Sequence, residues 1–120
     1  MREPYAHDVV LSLPVGADEA APGAAVTVEL CGHWRHDPPC PVAPHHTRAH
    51  REGVDLHLRV LFAAEPEREM EVRRRIDAAL AAGRLAGPDG GATRWRLRNS
   101  AAGTIAPDEA DHARRLTADG

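Results

Sequence analysis

The sequence predicts a small α+β domain: a mixed four-stranded sheet in the order β-β-loop-β-α-β-α, with its helices on one face. Three observations carry that expectation. Residues 54–62 alternate apolar and polar with period two, residues 66–82 repeat apolar groups at helical spacing, and a proline-rich stretch over 35–53 shows neither period. At 120 residues the chain is expected to form one domain, 1–120, around a single core.

The first strand is read over Val9 to Leu13, ended by Pro14, and an Ala/Pro/Gly-rich connection follows from Gly16 to Ala25. Ala25 to Trp34 then alternates, with Val26, Val28, Leu30, Gly32 and Trp34 on one side and Thr27, Glu29, Cys31 and His33 on the other. That pattern predicts a second strand presenting Cys31 and His33 on its polar side. Pro38, Pro39, Pro41 and Pro44 predict an irregular excursion over 35–53. The third strand is the clearest: Val54, Leu56, Leu58, Val60 and Phe62 point inward, and His57 and Arg59 point away from the core.

Pro66 opens a helix that Gly83 stops, with Val72, Ile76, Ala79 and Leu80 as the packing stripe. Glu69 and Glu71 stand four residues before Arg73 and Arg75, and the Arg73-Arg74-Arg75 run reads as a solvated helix face. After the turn-rich Gly87 to Gly91, a strand over Thr93 to Asn99 places Trp95 and Leu97 inward and Arg94, Arg96 and Arg98 on one outward face. Pro107 starts a short terminal helix reaching Leu116. The third strand, helix and fourth strand are expected to form a parallel crossover beside a hairpin of the first two.

Composition narrows the function classes. All 15 basic residues are arginine, the bias of a GC-rich bacterial genome, and the formal net charge is −3. That charge gives no global attraction to nucleic acid or to an anionic membrane, and aromatics to stack on bases amount to 3%. No apolar run is long enough to span a bilayer and the first residues lack a secretory pattern, so the expected compartment is the cytoplasm. In a reducing compartment two cysteines favour a metal thiolate over a disulfide.

Both cysteines and five of the eight histidines fall between Cys31 and His50. Thiolate and imidazole are zinc's ligands, so this density predicts a transition-metal site, zinc first, with copper accepting the same donors. The expected ligands are Cys31, His33, Cys40, His45 and His46. His36, Asp37, His50 and His57 are second-shell groups or alternative ligands. Adjacent histidines cannot easily both bind one ion, so one of His45 and His46 is expected to bind and the other to face solvent or move protons. The spacing fits no common zinc-finger template. Arg59, Arg94, Arg96 and Arg98 are candidate anion-binding groups, because guanidinium forms paired hydrogen bonds to carboxylate or phosphate. His7 and His112 lie outside the cluster and read as surface residues. The function this implies is a metal-binding accessory or interaction domain with a protein partner. Its rivals are a small zinc hydrolase or lyase acting on an anionic small molecule, and a copper carrier or sensor.

Overall fold

The computed structural model describes residues 2–31, 43–87 and 91–118; of Cys31 it describes the backbone alone. Among the described residues the architecture is α+β, with a four-stranded antiparallel sheet and three α-helices. β1 (Glu3–Ser12) is followed by α1 (Ala21–Cys31), then by the hairpin of β2 (His45–Glu52) and β3 (Asp55–Ala64), whose turn is made by Gly53 at φ 61°. A 3-10 turn at Pro66–Arg68 leads into α2 (Glu69–Ala81). A small ribbon of β4 (Arg84–Ala86) and β5 (Ala92–Arg94) precedes β6 (Arg96–Gly103), and a second 3-10 turn at Pro107–Glu109 opens α3 (Ala110–Ala118).

The sheet order is β2-β3-β1-β6. Each neighbour pair is antiparallel, with Val9 opposite Leu58 on one side and Ser100 on the other. Both crossovers, β1-α1-β2 and β3-α2-β6, therefore skip over one strand, the split βαβ arrangement of ferredoxin-like folds. The four-stranded α+β class agrees with the sequence, and β3 and β6, both antiparallel to β1, run parallel to one another across α2 as expected, with β1 inserted between them. The expected hairpin of the first two strands is corrected, since the hairpin is β2–β3.

That correction starts in α1. Residues 25–31, expected as a strand, are helical, and the helix begins inside the stretch expected as a loop. Val26 and Leu30 are fully buried, four residues apart, while Val28 between them is 38% exposed. Alternation would bury all three, whereas a helix turns the middle one out. The Asp18 carboxylate accepts the Ala20 N–H at 2.9 Å, alanines favour the helix, and Pro22 sits in the first turn where its missing N–H costs nothing. Gly23 lets α1 approach β2 closely, since a Cβ there would stand 3.0 Å from Thr47 Oγ1.

The second correction is β2, which occupies residues 45–52 of the expected irregular excursion. It is an edge strand, and Ala63 N–H binds the Pro44 carbonyl at 3.0 Å to begin the pairing. Helices α1 and α2 cover one sheet face, packing Val26, Leu30, Val72, Ile76 and Leu80 on Leu11, Leu58, Val60 and Phe62. Trp95 interrupts β5 and β6 so that its indole enters this core, donating to the Leu80 carbonyl at 2.8 Å. The helices do not all lie on one face: α3 packs Leu116 against Ala6, Leu61 and Ala63, whose side chains alternate to the opposite side. α3 covers one end of that face and leaves the other end open.

Two residues read as exposed are buried. Arg73 is 7% exposed: it donates to Glu69 at 2.8 Å and to the Ala6 carbonyl at 2.7 Å, and lies over the Phe62 ring at 5.2 Å. His7 is 3% exposed. Its Nδ1 accepts from Arg73 at 3.0 Å, so Nε2 carries the proton and meets both Asp77, at 2.9 Å, and Ser100, at 2.8 Å. A Ser-His-Asp relay needs its serine and aspartate on opposite ring nitrogens. Here both meet Nε2, so the cluster is a structural network closing α2 onto β1 and β6.

Candidate functional site: the open sheet face

The face opposite α1 and α2 carries His46, His50, His57 and Arg59 of the residues that the sequence singled out. Strand alternation decides which. From β2 come His46, Arg48 and His50, and from β3 come His57, Arg59 and Leu61, in register as His46–Leu61, Arg48–Arg59 and His50–His57. β1 adds Asp8 and Val10, and β6 adds Asn99 and Ala101. Arg48, His50, His57, Arg59, Asp8 and Asn99 line a cavity of about 380 Å³, and a smaller one of about 100 Å³ lies under α3 between His46, Arg48, Arg59, Leu61, Glu109 and His112.

Arg59 is the centre of the face. It donates through Nε and Nη2 to the two Glu109 oxygens at 2.9 and 2.7 Å, through Nη1 to Asp8 at 2.7 Å, and to the Thr104 carbonyl. Gly103 makes room for this, because a Cβ there would run into the Asp8 carboxylate. The hydrogen bonds from Arg59 outweigh the burial cost and hold the Glu109 carboxyl down at about 2. The Arg59 guanidinium, hydrogen-bonded to Glu109, is held above its ordinary range despite its burial. Arg59 therefore spends its donors on Asp8, Glu109 and Thr104, and its role here is to anchor α3 to the sheet.

Imidazoles flank this centre in two pairs. His46 stands against His112 with ring centroids 4.4 Å apart, and His50 stands against His57 at 6.4 Å. Glu52 approaches both members of the second pair, at 3.3 Å from His50 Nε2 and 3.8 Å from His57 Nε2. Burial chiefly, then His112 and Arg48, holds the His46 pKa below the ordinary histidine value, which favours the neutral ring that can ligate a metal. His112 is thus no isolated surface residue. Its spacing, four before Leu116 in α3, placed it on the sheet-facing side of the helix and was the available signal.

The expected ligands divide accordingly. His33, His36, Asp37 and Cys40 lie outside the described residues, as does the side chain of Cys31, whose backbone ends α1 and not a strand. His45 and His46 project from opposite faces of β2. The His45 ring is engaged on the helix side, where Nδ1 donates to the Ala43 carbonyl at 3.2 Å and Nε2 accepts the Thr27 hydroxyl at 3.0 Å. Among the described residues, no three His, Cys, Asp or Glu side chains are grouped so as to hold a metal ion.

The expected row of Arg94, Arg96 and Arg98 is also divided. Arg94 ends β5 in the two-stranded ribbon, Arg96 begins β6 in the main sheet, and Arg98 follows at a register shift and pairs with Asp55 at 3.1 Å. Among the described residues no helix is long and apolar enough to cross a membrane. No family model, curated protein or solved structure matches the chain.

Proposed function

We propose that the chain is a small metal-binding domain, zinc favoured, acting as an accessory or interaction module. The carrying observation is the His46–His112 pair at the end of β2 that follows the Cys- and His-rich stretch directly, with His46 held toward its neutral, ligating form. Because His45 faces the other side of the strand with both ring nitrogens bonded, the reading keeps His46 as the imidazole on the open face. Cys31, His33 and Cys40 are its proposed companions. Their mix of thiolate and imidazole suits zinc and would also accept copper. When bound, the ion would supply a cross-link between that stretch and the sheet, and its binding energy would count toward folding.

The test is elemental analysis of the purified full chain after zinc loading and removal of free metal. One zinc per chain is expected in the wild type, with sharp losses in Cys31→Ala, Cys40→Ala and His46→Ala and none in His57→Ala. Equal zinc in all five proteins, or none in the wild type, would overturn the reading. Chelation then separates the roles: loss of fold marks an accessory scaffold, and a retained fold with an exchangeable zinc-bound water marks a hydrolase or lyase. Rapid transfer of the ion to an acceptor marks a carrier.

A further inference from the structure

At the far end of the sheet from α3's 3-10 turn, three chain segments meet around an apolar hollow of about 360 Å³. β1 contributes Leu13 and Pro14 as it leaves the sheet, the β2–β3 turn contributes Val54, and the β5–β6 junction contributes one edge of Trp95. Val54 is 53% exposed, large for a β-branched residue beside a hydrophobic core, and Trp95 is 7% exposed. The walls are fixed in place. Leu13 N–H binds the Val54 carbonyl at 2.8 Å, and Arg51 donates to the carbonyls of Leu13 at 2.7 Å, Pro14 at 3.0 Å and Gly53 at 2.9 Å. Such cross-bonding means that the hollow exists before any ligand arrives, and a preformed site spares a ligand the cost of ordering it.

The rim is cationic. Arg94 and Arg96 flank Trp95, so sending the indole into the core turns both guanidiniums outward at the mouth. Both are exposed, and neither has a hydrogen-bond or ion-pair partner among the described residues. Of the carboxylates around the mouth, Asp55 pairs with Arg98 at 3.1 Å, Glu19 stands 4.0 Å from Arg51, and Asp18, which lines a neighbouring hollow with Arg94, accepts the Ala20 N–H at 2.9 Å. This contrasts with the open face, where Asp8 and Glu109 neutralise Arg59. An apolar floor under two uncompensated guanidiniums matches a ligand with an apolar body and an anionic head.

We propose that this hollow binds a small apolar carboxylic acid: the aryl or branched-alkyl body lies on Trp95, Leu13, Pro14 and Val54, and the carboxylate is received by Arg94 and Arg96. The volume lies at the small end of ligand cavities, which suits one ring or a short branched chain. The site is independent of the metal reading, because none of its residues is a proposed ligand.

Titration of the full chain with phenylacetate, followed by two-dimensional amide NMR, tests it. The Trp95 indole N–H signal, identified by its loss in Trp95→Phe, and the Val54 amide are expected to shift together and saturate. The Arg94→Gln/Arg96→Gln double variant, with its fold checked by circular dichroism, should bind at least about tenfold more weakly, equivalent to about 1.4 kcal/mol. Arg114→Gln on α3 should bind as the wild type does, and the neutral isostere phenylacetamide should bind as weakly as the double variant. Unchanged affinity in the double variant, or equal affinity for the amide, would overturn the carboxylate assignment. Shifts at these two residues that follow protein concentration and ignore phenylacetate would instead assign the hollow to a second copy of the chain.

Discussion

Replacing Glu109 by glutamine probes the ion pair that helps fasten α3 to the sheet. In the wild type both Glu109 oxygens accept from Arg59, and Oε1 also accepts the Ala106 N–H at 2.9 Å. Its side chain is 8% exposed, and its pKa lies at about 2 against an ordinary 4.5. Taken in full, that difference corresponds to about 3 kcal/mol of stability. Arg59 is 22% exposed, so solvent screens part of the attraction and about 1–2 kcal/mol is the expected cost of Glu109→Gln at pH 7. The sign follows from a folded pKa that is depressed. The stabilisation is complete above the unfolded value near 4.5 and is lost as pH falls through about 2. Urea denaturation of wild type and variant from pH 7 to pH 2 reads this directly, because other carboxylates titrate in both proteins and cancel in the difference. The gap should hold constant down to about pH 5 and close toward pH 2. A gap that stays the same across the whole range would refute the assignment of the stability to the Glu109 charge.

Two further substitutions test the frame. Gly83 ends α2 at φ 73°, and a Cβ there would stand 2.8 Å from the Trp95 carbonyl oxygen. Gly83→Ala should therefore cost at least about 1–3 kcal/mol in urea denaturation, and an unchanged midpoint would mean that the backbone is not left-handed there. In α1, Val28→Glu should change stability by less than about 0.5 kcal/mol while Leu30→Ala costs about 2–5 kcal/mol. Equal costs would return residues 26–30 to a strand.

The strands and helices with one strong period were legible in the sequence. β3 alternates between a buried and an open face, and α2 carries Val72, Ile76 and Leu80 at helical spacing, both as expected. α1 was misread because Val26 and Leu30 satisfy periods of two and of four alike, and the deciding residue, Val28, has the same hydrophobicity whether buried or exposed. β2 was invisible for a different reason. As an edge strand it carries His46, Arg48 and His50 on one face and Thr47, Ala49 and Arg51 on the other, so it has almost no apolar alternation to find. With α1 and β2 exchanged for a strand and a loop, the neighbours within the sheet followed wrongly, although β3 and β6 do run parallel. At the site, pairing of His57 with His50 and of His46 with His112 depends on β2 register and on α3, which no local pattern encodes. The burial of His7 was within reach, since it shares parity with Val9 and Leu11 along β1.

The place of β1 has a consequence for how the chain acquires its shape. It is synthesised before both of its neighbours, β3 lying some fifty residues on and β6 some ninety residues on. Closing such distant pairings is entropically slow, and the sheet cannot seal its centre until residue 103 has emerged. During that interval Val9 and Leu11 are presented by a strand whose β6 flank is bare even after β3 has paired with the other. The nascent protein is therefore exposed to association with other chains until β6 has emerged, and a truncation inside β6 should behave as an aggregating polypeptide where one after α3 begins should not.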